Sequence, residues 1–257
     1  MGHPRNYTPA LFAIAILSCC CLPAFSQSAH DRQLLAHLSS ADDDLRHKLP
    51  NFSCDESVLS EEVQHGKVRR HATFTATIRA QRNSKGVLEE KLGTQIYDVG
   101  VFSAIFHHVP SLPIYVIGGF TQALAYFSAA DQPCMQYKIS GSRIDFASIS
   151  PQPPPCTNSN TTGFALLDAD GNVIHLERTV TQETAVARGQ AQFAAVDLAP
   201  VAFNNQLFRL SRHVVAEMPA DNGVIRRFTA DFSHCKLFTA TITVSPTGNV
   251  IPPGRNP

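Results

Sequence analysis

The 257-residue chain has no tryptophan, only three methionines, and no surplus of either charge: 21 Lys and Arg stand against 21 Asp and Glu. The balance argues against a nucleic-acid partner, because neutralising phosphates takes a basic surplus. After residue 22 no apolar run is long enough to span a bilayer as a helix. No block of like charge marks a solvated tail. Catalytic signatures are missing as well. No G-x-S-x-G holds a nucleophile on a strained turn. No P-loop, no G-x-G-x-x-G after a strand and no H-E-x-x-H occurs. Isolated Ser, His and Asp residues say little, since a triad is assembled in space. No catalytic residue and no cofactor is assigned on this basis.

What is present begins with an export signal. Arg5 is followed by the apolar run 11–22, about a dozen residues, which suits a secretory h-region and is short for a membrane span. Pro23 breaks it, and Ala24-Phe25-Ser26 supplies small residues two apart. Cleavage after Ser26 is the first expectation, giving a periplasmic or secreted protein. The alternative is a lipoprotein anchored through Cys19, because Leu17-Ser18-Cys19 resembles a lipoprotein cleavage box. The expected organisation is a signal peptide over 1–26, one domain over 27–245 and a disordered tail over 246–257, rich in Gly, Pro and Asn. The mature chain of 231 residues is long enough to bury a core without a metal.

Cysteine usage fits export. Cys19, Cys20 and Cys21 lie in the signal. Cys54, Cys134, Cys156 and Cys235 form an even set in a chain bound for an oxidising compartment, which reads as two disulfides. They lack the C-x-x-C pairs of a zinc site.

Periodicity predicts one helix and then strands. Leu34, Leu35, Leu38, Ala41 and Leu45 share a face at helical spacing over 31–48, with Asp31 as a cap and Leu49-Pro50 as the stop. Asp42-Asp43-Asp44 cannot all point one way from a helix and reads as a solvated face. Over 72–80 the period becomes two: Phe74, Ala76 and Ile78 face one side and Thr73, Thr75, Thr77 and Arg79 the other. Asn83-Ser84-Lys85-Gly86 turns the chain into a strand over 87–99. A short helix over 101–109 ends at Pro110 and Pro113. Strands are then predicted over 112–117, 123–128, 135–139, 143–149, 164–168, 173–181, 190–203, 206–218, 224–231 and 238–244. Asp170-Gly171, Asn204-Asn205 and Asn222-Gly223 form turns. The proline run 151–155 is a surface connection. The fold class is therefore mainly β (α+β): a large curved antiparallel sheet or half-barrel with one or two helices packed on it.

Two residue sets are candidate sites. His71, His175 and His213 sit in strand patterns and could meet across a sheet. The adjacent pair His107-His108 diverges by about 100° on a helix. Scattered structural histidines are the preferred reading, with no metal. Phe102, Phe106, Phe120, Tyr126, Phe127, Phe193, Phe203 and Phe208 could line an apolar cavity or form ordinary core.

Leu-Pro-Asn-Phe-Ser-Cys54 after the helix, Gly163-Phe-Ala-Leu-Leu-Asp-Ala-Asp-Gly-Asn-Val173 after a long meander, and Phe232-Ser-His-Cys235-Lys-Leu-Phe238 near the end carry a resemblance. Together they resemble a group of uncharacterised secreted bacterial proteins whose architecture is similar to the lipoprotein-carrier half-barrel of periplasmic lipoprotein chaperones. The resemblance implies an incomplete antiparallel barrel whose concave face takes an acyl chain or similar apolar group. It also brings the Cys54 and Cys235 motifs together, so the expected pairing is Cys54–Cys235 and Cys134–Cys156. The resulting expectation is an exported non-enzymatic protein that holds a lipid or other apolar small molecule. The alternatives are a secreted hydrolase with a site assembled from distant residues, and an envelope structural protein with a filled core. Oligomeric state stays open.

Overall fold

The computed structural model describes residues 28–97, 120, 123–150, 156, 159–182, 190–238, 243–244 and 250–251. The export segment, the predicted helix over 101–109 and the predicted strand over 112–117 lie outside these residues.

Helix α1, Ala29–His47, buries Leu35, Leu38 and Leu45 along one stripe. It starts one turn earlier than Asp31 suggests. Ser28 is the N-cap: its Oγ accepts from the Asp31 N–H, and the Asp31 carboxylate accepts from the Ser28 N–H. Asp31 is thus the third residue of a capping box and not the cap itself. The acidic triplet keeps Asp43 and Asp44 on the predicted solvated face but not Asp42. Each member pairs with a base one turn on: Asp42 with Arg46 at 2.6 Å, Asp43 with His47 at 2.8 Å and Asp44 with Lys48 at 2.7 Å. Asp42, however, is buried. It falls between Leu38 and Leu45 on the stripe that faces the sheet, so position on the helix overrides polarity.

Ten strands form one antiparallel sheet. They are β1 (Phe52–Gln64), β2 (Lys67–Arg82), β3 (Leu88–Tyr97), β4 (Met135–Ser140), β5 (Arg143–Ser148), β6 (Ser159–Leu167), β7 (Val173–Gln182), β8 (Gln190–Phe203), β9 (Gln206–Pro219) and β10 (Val224–Leu237). Their spatial order is β3-β2-β1-β10-β9-β8-β7-β6-β5-β4. Consecutive strands of this sheet are neighbours except β3 and β4, which lie at opposite edges. Among the described strands of this sheet, the one pairing between strands not consecutive in sequence is β1 against β10. The order leaves β3 and β4 as edges, so the sheet is open. Two short strands, β11 (Thr243–Val244) and β12 (Val250–Ile251), pair separately.

Three elements differ from the periodicity. β1 was not predicted. Its inward positions are Phe52, Cys54, Glu56, Val58 and Ser60, all buried. Glu56 and Ser60 are polar, which hides the alternation. The predicted strand over 123–128 is a turn with a short 3-10 segment, Ala125–Phe127. There the Phe127 N–H bonds to the Leu124 carbonyl at 2.9 Å, and Leu124 and Phe127, three apart, both turn inward. The strand predicted over 224–231 runs on to Leu237 and takes in Cys235.

One face of the sheet is buried. Cross-strand register aligns Phe146, Gly163, Arg178, Ala194, Ala216, Phe228, Ser60 and Ala72 in one row on that inner face. Helix α1 packs on the same face and is fastened at its middle and at its C-terminal end. His37 Nε2 meets Asn172 Oδ1 at 3.2 Å in the β6–β7 turn. Arg82 donates to the Arg46 and Leu49 carbonyls at 2.8 and 2.9 Å, satisfying the helix C-terminus. Gly171 holds φ at +81° in that β6–β7 turn, and a Cβ there would lie 3.3 Å from the Leu34 side chain. Glycine therefore serves both the turn and the approach of the helix.

Two disulfides staple the fold. Cys54–Cys235 joins β1 to β10, and Cys134–Cys156 joins the start of β4 to the β5–β6 connection.

Candidate functional site

The inner face carries two aromatic groups. At the α1 end, Phe52 packs edge-on against Phe120 with centroids 5.2 Å apart, Phe120 meets Phe232 at 4.7 Å, and Phe203 lies 5.4 Å from Phe52 and 6.2 Å from Phe208. All five rings are buried. This group is core.

The second group lies toward the β4 edge; its Phe127 and Phe146 are as buried as the first group, while Tyr126 and Tyr137 are partly exposed. Tyr126 stacks on Phe146 at 5.3 Å and 17°, and Phe127 meets Tyr137 at 5.9 Å and Phe146 at 5.8 Å. The Tyr137 hydroxyl donates to the Tyr126 carbonyl at 2.5 Å. Burial pushes the pKa of both phenols upward; for Tyr137 the nearby Asp131 charge adds to the shift. Both therefore remain neutral hydrogen-bonding groups under ordinary conditions.

An open cleft of about 930 Å³ adjoins this second group. Met135, Tyr137, Ile139, Phe146 and Ala147 line it from the sheet together with the polar Gln136, Lys138 and Asp145, and Asp31 and Arg32 border it from the start of α1. Its size matches a small-molecule site. A smaller cleft of about 190 Å³ lies beneath α1, between Leu38, Ala41, Leu45, Leu124, Val173 and Phe208.

The eight aromatic residues proposed from sequence separate into distinct places. Phe120, Phe203 and Phe208 belong to the packed group, with Phe208 also bordering the smaller cleft. Tyr126 and Phe127 belong to the group beside the large cleft. Phe193 is on the outer face, opposite Thr179 and Glu217, and is not brought to the others. Phe102 and Phe106 lie outside the described residues. Tyr137 and Phe146, which line the large cleft, were not selected from sequence. The available signal was their inward parity in the strands predicted over 135–139 and 143–149.

The outer face answers the histidine question. Register places His175, Asp197, His213 and Asp231 in one row across β7, β8, β9 and β10. His175 Nδ1 meets Asp197 at 2.5 Å and its Nε2 meets Glu177 at 3.1 Å, while His213 meets Asp231 at 2.7 Å. Burial of the His175 ring opposes its proton, but the two carboxylates outweigh this and raise its pKa above 6.5. They occupy opposite ring nitrogens, so they do not converge on one ion. His71 sits in another row, opposite Glu61. Among the described residues no three His, Cys, Asp or Glu side chains are placed to hold a metal ion.

One Ser, His and Asp set does come together. His234 Nδ1 lies 3.3 Å from Ser233 Oγ and 3.2 Å from Asp55 Oδ2. Both contacts use the same ring nitrogen, so the imidazole cannot relay a proton from serine to carboxylate. The His234 side chain is also 82% exposed. The set marks the bulge where β10 meets β1, with His234 at φ +48°.

No protein-family model matches the chain, and no curated protein matches it in sequence. Among solved structures, a LolA superfamily protein from Nitrosomonas europaea is similar at a TM-score of 0.35 and 8% identity, covering 80% of this chain and 94% of that one. A DUF1329 family protein from Desulfovibrio piger is similar at a TM-score of 0.26 and 8% identity, covering 80% and 92%. The half-barrel description rests on this chain's own strand order and one-sided burial.

Proposed function

We propose that the protein is a non-enzymatic binding module that holds a lipid or other apolar molecule against the inner face of its half-barrel. The observation that carries this reading is the large cleft at the β4 edge, lined by Met135, Tyr137, Ile139 and Phe146. An open sheet edge gives a ligand access, and the aromatic wall offers apolar area in rigid side chains. The packed group around Phe52 and Phe120 is core, so the ligand is confined to the β4 side. Two disulfides agree with an oxidising compartment, periplasmic or secreted.

The test is native mass spectrometry of protein purified from the periplasm, followed by titration with the fluorescent fatty acid cis-parinaric acid. A co-purified apolar adduct, or saturable uptake of the probe that falls in Phe146→Ala, is expected. Protein that carries no adduct and takes up no probe would overturn the reading.

A further inference from the structure

Arg178 is the one cation in the inner-face row Phe146, Gly163, Arg178, Ala194, Ala216 and Phe228. It shares parity with Leu176 and Val180, both buried, and is itself half-buried. Its immediate row neighbours are Gly163, over which the Phe146 ring packs, and the buried Ala194, so the guanidinium lies against the Tyr126–Phe146 group. Among the described residues it forms no ion pair. Its partners are the Tyr126 ring, with the guanidinium carbon 5.6 Å from the centroid, and the Tyr126 hydroxyl, which Thr161 also bonds. Asp131, whose charge reaches Tyr126, accepts from Ser128 Oγ at 2.9 Å. A guanidinium has five N–H donors, and these contacts engage few of them.

A half-buried cation with no counter-ion among the described residues carries a desolvation cost. On the same sheet Arg143, Arg209 and Arg227 each pair with a carboxylate. Arg178 also adjoins the aromatic wall of the cleft. Tyr126 lies between it and Phe146, and two strand spacings, about 10 Å, separate Arg178 from Phe146.

We propose that Arg178 is the head-group anchor of the ligand site, and that the ligand is a long-chain monocarboxylate such as a free fatty acid. The guanidinium takes the carboxylate through paired N–H donors. The acyl chain runs past Tyr126 along the wall toward the β4 edge. This assignment rests on the apolar-ligand reading and adds the chemistry of the head.

The experiment compares oleate, oleyl alcohol and butyrate by displacement of cis-parinaric acid at pH 8, on the wild type, Arg178→Gln and Arg178→Lys. The wild type is expected to bind oleate at least about tenfold more tightly than the alcohol, the scale of a charge-assisted hydrogen bond, and to bind butyrate weakly. Arg178→Gln should lose that preference while keeping its affinity for the alcohol, and Arg178→Lys should keep part of it. The wild-type comparison needs no variant to fold. Equal affinity for oleate and alcohol, a preference that survives in Arg178→Gln, or butyrate binding as tight as oleate would each overturn the assignment while leaving apolar binding in place. Binding of none of the three would remove the apolar-ligand reading itself.

Discussion

Cys54 and Cys235 are 181 residues apart in sequence, yet their Cα atoms lie 4.1 Å apart. They meet across the β1–β10 seam, beside the register shift between Ser53 and Asp55. The bond links the first and last long strands in the interior of the sheet, where β1 has β2 on its other side.

This placement makes the two disulfides unequal. In the chain-entropy account, a closed loop of 181 residues stabilises by about 5 kcal/mol and one of 22 residues by about 3 kcal/mol. Replacing Cys54 and Cys235 together by serine is therefore expected to cost more than replacing Cys134 and Cys156. Urea unfolding of both double variants measures this. Equal losses would show that the longer loop confers no extra stabilisation and would contradict the predicted order.

Gly163 is irreplaceable for a steric reason. A Cβ there would lie 2.2 Å from the Glu177 carbonyl oxygen and 2.6 Å from Phe146 Cζ. The carbonyl is fixed by the β6–β7 ladder, and Phe146 belongs to the wall of the large cleft. Gly163→Ala is expected to destabilise by about 2–3 kcal/mol through overpacking and to lower uptake of an apolar probe by displacing Phe146. Denaturant unfolding and probe titration test the two effects separately. A variant as stable as the wild type would contradict this close packing.

His175 gives the fold a pH dependence of definite sign. Its folded-state pKa is raised above 6.5, burial opposing and Asp197 and Glu177 prevailing. The unfolded chain lacks these partners. The stabilisation is fully present below about pH 6.5 and is lost as pH rises through the folded-state value. Between pH 6 and pH 8 the wild type should lose stability relative to His175→Gln. Urea midpoints at both pH values decide it, and parallel changes in the two proteins would be the contrary result.

How much could be read from the chain depends on where the physics is local. Alternation of Phe74, Ala76 and Ile78 against threonines is visible in sequence because that strand presents an apolar face inward. β1 was missed because Glu56 and Ser60 occupy its buried positions. Tyr126 and Phe127 promote strands, but Leu124 and Phe127 turn inward together in a 3-10 turn. Asp42 read as solvated because polarity is a property of the residue, whereas burial is set by the stripe shared with Leu38 and Leu45.

The candidate site was legible only as an inventory. Eight aromatic residues could be named, but their division into a packed core, a cleft wall and one outer-face ring depends on register between strands distant in sequence. Tyr137, Phe146 and Arg178 gain their meaning in the same way. Arg178 is an ordinary strand arginine until the sheet places it between Gly163 and Ala194 over the Tyr126 ring. By itself the sequence determined the mainly β class, the leading helix, most of the turns and the even set of cysteines, because periodicity and turn chemistry act within a few residues. The tertiary structure alone decided the closure of β1 on β10, the open edges and the cleft, because pairing, burial and the space between side chains are fixed only when distant segments meet.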